Sequence, residues 1–171
     1  TLTSDVAAFE RAKLRMLNAT HSLLAYFGAL KDLALMSDAV TDPELNAISR
    51  SFLFDDVIPT LTAPDGLDLE AYGLSLLDRF ANHNTGHTTI QVAMDGSKKL
   101  PFRLFGTVSD RLAAGAVPQG AAWAVAAWIA FVDRGASLGG VDLPLDDPRA
   151  TELQQAVRGA QRGHQLGAVV G

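Results

Sequence analysis

The stretch FERAKLRMLNATHSLLAYFG, residues 9–28, has the spacing of an amphipathic helix, yet polar side chains interrupt its leucines. Thr3 or Ser4 can cap this helix, and Asp5 suits its first turn, where the helix dipole favours a negative charge. No residue breaks the helical pattern before Gly28. The sequence therefore predicts one long helix from about residue 5 to residue 28.

Three polar residues of this helix, Lys13, Asn18 and His21, fall within about 140° of arc on a helical wheel. The wheel predicts a solvent side at Arg11, Arg15 and Ser22. Lys13 falls on the opposite, apolar side, where an uncompensated ammonium group is costly to bury. Each residue alone has a structural explanation. The Lys13 side chain can extend to solvent, the Asn18 amide can form a hydrogen bond with a backbone group, and His21 can be a core histidine with its hydrogen bonds made inside the protein. Together, an amine, an amide and an imidazole suit acid–base catalysis and carbonyl polarisation.

The composition is that of a globular protein, with 171 residues, 48% of them hydrophobic and 19% charged. A net charge of −5 without a basic run argues against binding to nucleic acid, because phosphates require clustered lysine and arginine. The absence of cysteine excludes disulfides and thiolate chemistry. The longest apolar run, residues 120–132, is shorter than the roughly 20 residues of a membrane span, and no signal core occurs in residues 1–20. We therefore expect a cytoplasmic protein without membrane or nucleic-acid partners, whose abrupt start is typical of a domain from a longer chain.

Along the rest of the chain, helical periods alternate with turn signals. TDPE at 41–44 predicts a helix start with Pro43 in the first turn. Further helices are predicted within residues 67–82 and 108–115, through Trp123 and Trp128, and within 147–163. Turns are predicted at 62–66, 83–87 and 95–101, while residues 88–94 fit either a strand or a helix.

The predicted fold class is all-α, a single multi-helical domain over residues 1–171, because the helical periods are not accompanied by strand alternation. The same periodicity predicts which large side chains fill the core. They are Leu17, Leu24, Leu76, Phe80, Trp123 and Trp128.

The pattern Lys-x4-Asn-x2-His in residues 13–21 resembles the signature of the polyol-specific long-chain dehydrogenase/reductase family, which includes mannitol and arabinitol dehydrogenases and fructuronate reductases. Further blocks in family order extend the resemblance over nearly the whole chain. They are DDVIPTL, PDGLDLEAYGLSLLDRFAN, HTTIQVAMDGSKKLPFRL, AAWAVAAWIAFV and LDDP. The resemblance implies that this chain is the family's C-terminal, helical substrate domain, which is similar to the C-terminal domain of 6-phosphogluconate dehydrogenase.

The resemblance also implies roles for the residues of the first helix. Lys13 matches the general acid/base, Asn18 the amide that holds the reacting oxygen, and His21 a residue that orients the substrate. Glu10 matches a glutamate on the path of the proton to solvent. A lysine can act as a base near neutral pH when burial and nearby positive charge lower its pKa, which suits the apolar side predicted for Lys13.

For substrate binding, the resemblance implies a second lysine, Lys99, near the polar end of the substrate. Gln91 stands where some family members carry an arginine, and His87 precedes it in the same block. Gln91 and His87 favour the fructuronate reductase branch. The favoured substrate pair is therefore fructuronate and mannonate, with a mannitol- or arabinitol-type polyol as the alternative.

The cofactor implied by the resemblance is NAD, with no metal. A nicotinamide enzyme needs a phosphate cradle, usually Gly-x-Gly-x-x-Gly after a strand, and GASLGG at 135–140 has the wrong spacing. The family's dinucleotide-binding domain precedes this helical domain and is absent from this chain. We therefore expect the chain alone to be inactive and to bind no nicotinamide cofactor at micromolar levels, with that N-terminal domain as its partner.

Two other classes of function remain open at this stage. His83 and His87 have the i, i+4 spacing of a metal hydrolase, although NTG between them is a poor helix and the expected glutamate is missing. The other alternative is a helical binding or dimerisation module without chemistry of its own.

Overall fold

The first helix, α1, runs without a break over residues 6–30 and changes its hydrogen-bonding pattern on the way. This computed structural model describes the backbone of residues 6–169 and the side chains of residues 6–160. The three successive parts of α1 are α-helical, π-helical and α-helical, over Val6–Ala12, Lys13–Asn18 and Ala19–Leu30. One long helix is thus confirmed, whereas the cap and first-turn residues predicted at 3–5 lie outside the described residues.

The helices that follow are mostly short, and two of them contain π-helical segments like that of α1. The first two are α2, Met36–Thr41, and α3, which joins Pro43–Ser51, the π segment Phe52–Val57 and the 3-10 turn Ile58–Thr60. Next come α4, Leu69–Phe80, the 3-10 turn His83–Thr85, and α5, Thr89–Ala93. The last three are α6, which joins Gly96–Leu100, the π segment Pro101–Phe105 and Gly106–Ala113, then α7, Gln119–Arg134, and α8, Ala150–Val169.

The Ala19–Leu30 part of α1 is the centre of the hydrophobic core. Most of its residues are buried, because α2, α5 and α7 pack around it. A helix enclosed in this way must be apolar on nearly every face, as this one is. At Gly28 a Cβ atom would lie 2.7 Å from the Thr89 methyl group and 2.9 Å from Ala39 Cβ. Glycine therefore lets α2 and α5 approach this helix closely, and it does not end the helix as predicted.

The helix start predicted at 41–44 has the expected capping chemistry, and the undecided segment 88–94 also carries a cap. The Asp42 side chain accepts hydrogen bonds from the backbone N–H groups of Glu44 and Leu45, ahead of Pro43 in the first turn of α3. At α5, Thr88 accepts from the Gln91 N–H while the Gln91 side chain accepts from the Thr88 N–H. This capping box starts a helix in residues 88–94, the segment whose sequence fitted either a strand or a helix.

Residues 95–101 begin α6 and are not the turn that the sequence predicted. Proline in a helix removes an N–H and crowds the preceding turn, and the widened π segment at Pro101–Phe105 accommodates it. Asp147, from the loop after α7, holds the start of α6. Its carboxylate accepts from the Ser97 N–H at 2.7 Å, the Ser97 hydroxyl at 2.6 Å and the Arg149 N–H at 2.9 Å.

The helix α7 packs against α1 and α3 through small side chains, with Ala121, Ala124 and Ala127 buried. Its first turn is capped from α3, because the buried Asp56 carboxylate accepts from the Ala121 N–H at 2.9 Å. Trp123 lies away from this tight contact and is 50% exposed, whereas Phe131 is buried, with its ring 5.4 Å from that of Tyr26 in α1.

The six core predictions have mixed outcomes. Leu24 and Leu76 are buried as expected, and Leu17, Phe80 and Trp128 are partly buried against the core. The burial predicted for Trp123 is wrong. α7 is apolar on most of its surface, so spacing alone could not show that the alanine face would be the buried one.

The fold is all-α, as predicted. Within residues 6–169 the only extended pairings are two isolated bridges, Leu35 with Thr88 and Ala136 with Asp142. Among the helices that the structure describes, none is both long and apolar enough to cross a membrane.

Replacing Asp147 by alanine is expected to lower the free energy of unfolding by about 1–3 kcal/mol, because several backbone and side-chain donors lose a charged acceptor. Burial alone would raise the pKa of Asp147, but the hydrogen bonds from Ser97 outweigh it and lower the pKa. This stabilisation is therefore present at neutral pH and is lost as the pH falls through that lowered pKa. Urea unfolding at pH 7 measures the effect. The control is Asp146→Ala, an exposed neighbour, and equal small losses for both variants would contradict the prediction.

Candidate functional site

The π-helical segment of α1 brings Lys13 and Asn18 to one side of the helix. The Ala19 N–H donates to the Leu14 carbonyl oxygen, five residues back, which is the π-helical pattern. In an α-helix two residues five apart diverge by about 140°, whereas a turn that closes over five residues aligns them. Lys13 and Asn18 accordingly line one cavity of about 170 Å³, together with Glu10 and Leu14.

Several residues of α1 differ in exposure from what the helical wheel predicted, and the π segment contributes to the difference. Lys13 lies on the side of α1 that carries Phe9 and Leu17, as the wheel predicts, but its side chain is exposed and not buried. Ser22, predicted at the solvent, is 3% exposed. Arg15, also predicted at the solvent, donates to the Thr60 hydroxyl at 2.8 Å and pairs with Asp110 at 2.6 Å. A π turn contains one more residue than an α-helical turn. Residues after it are therefore rotated around the helix axis by about the angle between two successive residues, and a regular helical wheel does not include this rotation.

On its exposed side Lys13 also borders a larger apolar groove between α1 and α4. This groove has a volume of about 530 Å³. Its lining includes Phe9, Leu17, Leu67, Tyr72 and Arg79. Lys13 therefore stands where a small polar cavity meets an open apolar surface.

His21 lies further along α1, also beside α4. Its ring stacks on Phe80, with the centroids 4.9 Å apart and the planes at 11°, and it lies 6.1 Å from the His87 ring. Burial, together with the smaller effects of the positive charges of His87, Arg103 and Lys99, lowers the pKa of His21 from 6.5 to about 4. At neutral pH the His21 imidazole is therefore uncharged and can both donate and accept a hydrogen bond.

A second cavity, of about 250 Å³, gathers the residues predicted to bind substrate. It is lined by His21, His87, Gln91, Val92, Lys99 and Arg103. Burial and the neighbouring Arg103 lower the pKa of Lys99. The side-chain oxygen of Gln91 accepts from the Thr88 N–H at 3.3 Å, which leaves its amide N–H groups as donors for a ligand.

The catalytic set predicted from the sequence is thus divided between two neighbouring cavities. Lys13, Asn18 and Glu10 line the first, and His21 lines the second. A hydrogen bond links residues of the two cavities, because Arg103 of the second donates to the carbonyl oxygen of Asn18 at 3.4 Å, and it also donates to the Ser22 hydroxyl at 2.9 Å.

Arg103 is the residue of this site that sequence reasoning missed. The turn predicted at 95–101 places Lys99 in a loop and so separates it from Arg103. Lys99 and Arg103 are spaced i, i+4, so the recognition of one helix through Pro101 would have put both cations on the same side.

The alternative metal site at His83 and His87 lacks a helical frame. His83 lies in the 3-10 turn and its Nδ1 is 2.9 Å from the Ser37 hydroxyl, while His87 lines the second cavity. Within the part of the chain that the structure describes, no group of three or more histidine, aspartate or glutamate side chains is arranged to hold a metal ion.

The family model described as the mannitol dehydrogenase C-terminal domain matches residues 5–169. The D-mannonate oxidoreductase of Escherichia coli (strain K12) is 38% identical over 168 residues, which cover 98% of this chain and 34% of that protein. The D-arabinitol 4-dehydrogenase of Ralstonia nicotianae is 37% identical over 132 residues, which cover 77% of this chain and 28% of that protein.

Similarity extends to a solved structure, the mannitol 2-dehydrogenase of Pseudomonas fluorescens in a ternary complex with NAD and D-mannitol. It matches 91% of this chain and 31% of its own length, with a TM-score of 0.87 and 35% identity. This chain spans about a third of the length of these relatives.

Replacing His21 by phenylalanine is expected to flatten the dependence of stability on pH between 6.5 and 4. As the pH falls through this window, the unfolded chain takes up a proton at His21 and the folded chain does not, so the free energy of unfolding decreases. Phenylalanine keeps a ring against Phe80 but cannot titrate. Urea unfolding of the two proteins at pH 7 and pH 5 measures the difference. His83→Asn reports the effect of removing an exposed histidine, and an unaltered pH dependence in His21→Phe would contradict the prediction.

Proposed function

The chain belongs to the mannitol dehydrogenase C-terminal domain family, and from this premise we propose that it is the substrate-binding part of an NAD-dependent dehydrogenase. The reaction is the transfer of hydride between the cofactor and a secondary alcohol, or its ketone, in a sugar acid or polyol. The observation that carries the proposal is the cavity shared by Lys13 and Asn18.

The two side chains have the chemistry that alcohol oxidation requires. The hydroxyl proton passes to Lys13 Nζ, while the Asn18 amide donates a hydrogen bond to the oxygen on which negative charge develops. Glu10 lines the same cavity and provides a route for the proton from Lys13 to solvent. When bound, NAD accepts the hydride that leaves the alcohol carbon.

The residues present fit the nicotinamide end of such a cofactor. The apolar groove beside Lys13 offers a surface for a flat ring next to the reacting oxygen. The chain has no glycine-rich cradle for the pyrophosphate. We propose that the cradle belongs to an N-terminal dinucleotide-binding domain, as the chain's coverage of only a third of its relatives suggests.

This arrangement also explains how an exposed lysine serves as a base. A lysine gives up its proton near neutral pH when water is excluded from it. Lys13 is exposed in this chain, and a domain seated over the apolar groove would cover it. The site is therefore completed by the cofactor-binding domain, and this chain alone is expected to be inactive.

Among substrates, a fructuronate and mannonate pair is favoured over a neutral polyol. The second cavity contains Lys99, Gln91 and His87, and its positive charges suit a carboxylate. A relative 38% identical is named a D-mannonate oxidoreductase. The polyol alternative is supported by the D-arabinitol dehydrogenase relative. Turnover of fructuronate, tagaturonate, fructose and xylulose by the full-length protein decides between the two.

Replacing Lys13 by alanine in the full-length enzyme is expected to lower kcat by about 10²–10⁴, the usual contribution of a positioned general acid or base. The fold is expected to survive, since Lys13 is exposed and alanine favours helix. In the wild type, oxidation should rise with pH as Lys13 loses its proton, whereas reduction should favour the protonated form.

The control for this variant is Arg11→Ala, which removes an exposed cation from the same helix without touching either cavity. Steady-state kinetics over a range of pH compares the two. Near-normal turnover of Lys13→Ala with an unchanged pH profile would rule out lysine catalysis.

Replacing Asn18 by alanine is expected to lower kcat by about 10²–10³, because a donor to the developing negative charge is lost. The pH profile should keep its shape, since Lys13 remains. A shift of the profile with little loss of rate would instead indicate that Asn18 acts on the protonation of Lys13.

A further inference from the structure

The second cavity holds two cations that lack a negative partner. Lys99 and Arg103 both line it, and the residues of its lining include no carboxylate. Within the described side chains, no carboxylate lies within ion-pair distance of either cation. Asp95, Asp146 and Asp147 attract Lys99 only from beyond that distance.

Arg103 is held in a fixed orientation by bonds that use one of its nitrogens. Its NH1 group donates to the Ser22 hydroxyl at 2.9 Å and to the Asn18 carbonyl oxygen at 3.4 Å. Its other guanidinium N–H groups have no acceptor among the described residues. A half-buried guanidinium anchored on one side and unpaired on the other is suited to binding an anion from the cavity.

The position of Arg103 relative to Lys13 and Asn18 indicates which part of a substrate it would meet. The π segments of α1 and α6 pack against each other. Arg103 therefore contacts the backbone of the residue whose amide lines the first cavity. For a chain-like substrate with its reacting carbon at Lys13 and Asn18, the second cavity is the cationic site that this contact links to the first.

We infer that Arg103, with Lys99, binds the carboxylate at the non-reacting end of a sugar-acid substrate. This inference rests on the proposed function and adds to it a residue, Arg103, that selects the substrate. Gln91, as an uncharged neighbour, can add an amide donor to a carboxylate or hydroxyl but no charge. Selection of a sugar acid over a neutral sugar then depends on Arg103 and Lys99.

The test uses the full-length enzyme and two ketones that differ at one end, D-fructuronate with a carboxylate and D-fructose with a hydroxymethyl group. Arg103→Gln is expected to lower kcat/KM for fructuronate by about 10- to 150-fold, the range for losing a charged hydrogen bond. For fructose the change is expected to stay within about threefold, because no charged bond is lost. Arg103→Lys keeps the charge without the bidentate geometry and should fall between the wild type and Arg103→Gln.

The matched control is Lys98→Gln, which removes an exposed cation of the same helix whose nearest carboxylate is Asp95 at 3.9 Å. It should leave both substrates unchanged. Equal losses on both substrates in Arg103→Gln would show a merely structural role and overturn the inference, as would no loss on either. Wild-type turnover of fructose without fructuronate would overturn the inference while leaving a polyol dehydrogenase standing.

If the wild type turns over neither ketone, the proposed function fails. The inference that Arg103 and Lys99 bind a carboxylate is then tested by ligand binding. Calorimetric titration of the same protein with D-mannonate and with D-mannitol then replaces the kinetics. Binding of mannonate alone, lost in Arg103→Gln, would support the inference. Equal binding of both sugars, or no binding of mannonate, would overturn it.

Discussion

The hydrogen bond from the Ala19 N–H to the Leu14 carbonyl oxygen, five residues back, widens α1 at the turn that carries Lys13 and Asn18. A regular α-helix would point these two side chains about 140° apart. The wider turn aligns them on one cavity and rotates the later residues. His21 then borders the second cavity, while the apolar residues around it fill the core. One irregular turn thus sets both the cavity that Lys13 and Asn18 share and the packing of the central helix.

The frame around this turn is held by carboxylates that reach across the fold. Asp147 bonds the start of α6, the helix that carries Lys99 and Arg103. Asp56, on the π segment of α3, bonds the start of α7, which packs against α1. Short helices leave unpaired N–H groups at their first turns, and a buried carboxylate satisfies several of them at once. The positions of the cavity residues therefore depend on charged contacts between segments that are far apart in the sequence.

Much of the fold could be predicted from the sequence, because periodicity and caps are local signals. The helix start at Asp42, the all-α class and the burial of Leu24 follow from them. What could not be predicted depends on irregular or long-range geometry. The cavity shared by Lys13 and Asn18 follows from a π turn that no residue pattern announces, and α6 continues through Pro101 by means of another π segment. The outward position of Trp123 follows from packing against α1 and α3, and the place of Arg103 follows from the pairing of two π segments.

We propose that the π turn makes Lys13 and Asn18 act on one reacting oxygen as a unit. A double-mutant cycle on kcat/KM in the full-length enzyme, with Lys13→Ala, Asn18→Ala and the two combined, tests it most directly. Residues that act together lose their effect together, so the combined variant should lose far less rate than the product of the two single losses. Losses that simply multiply would show that the two side chains act independently and would contradict this account.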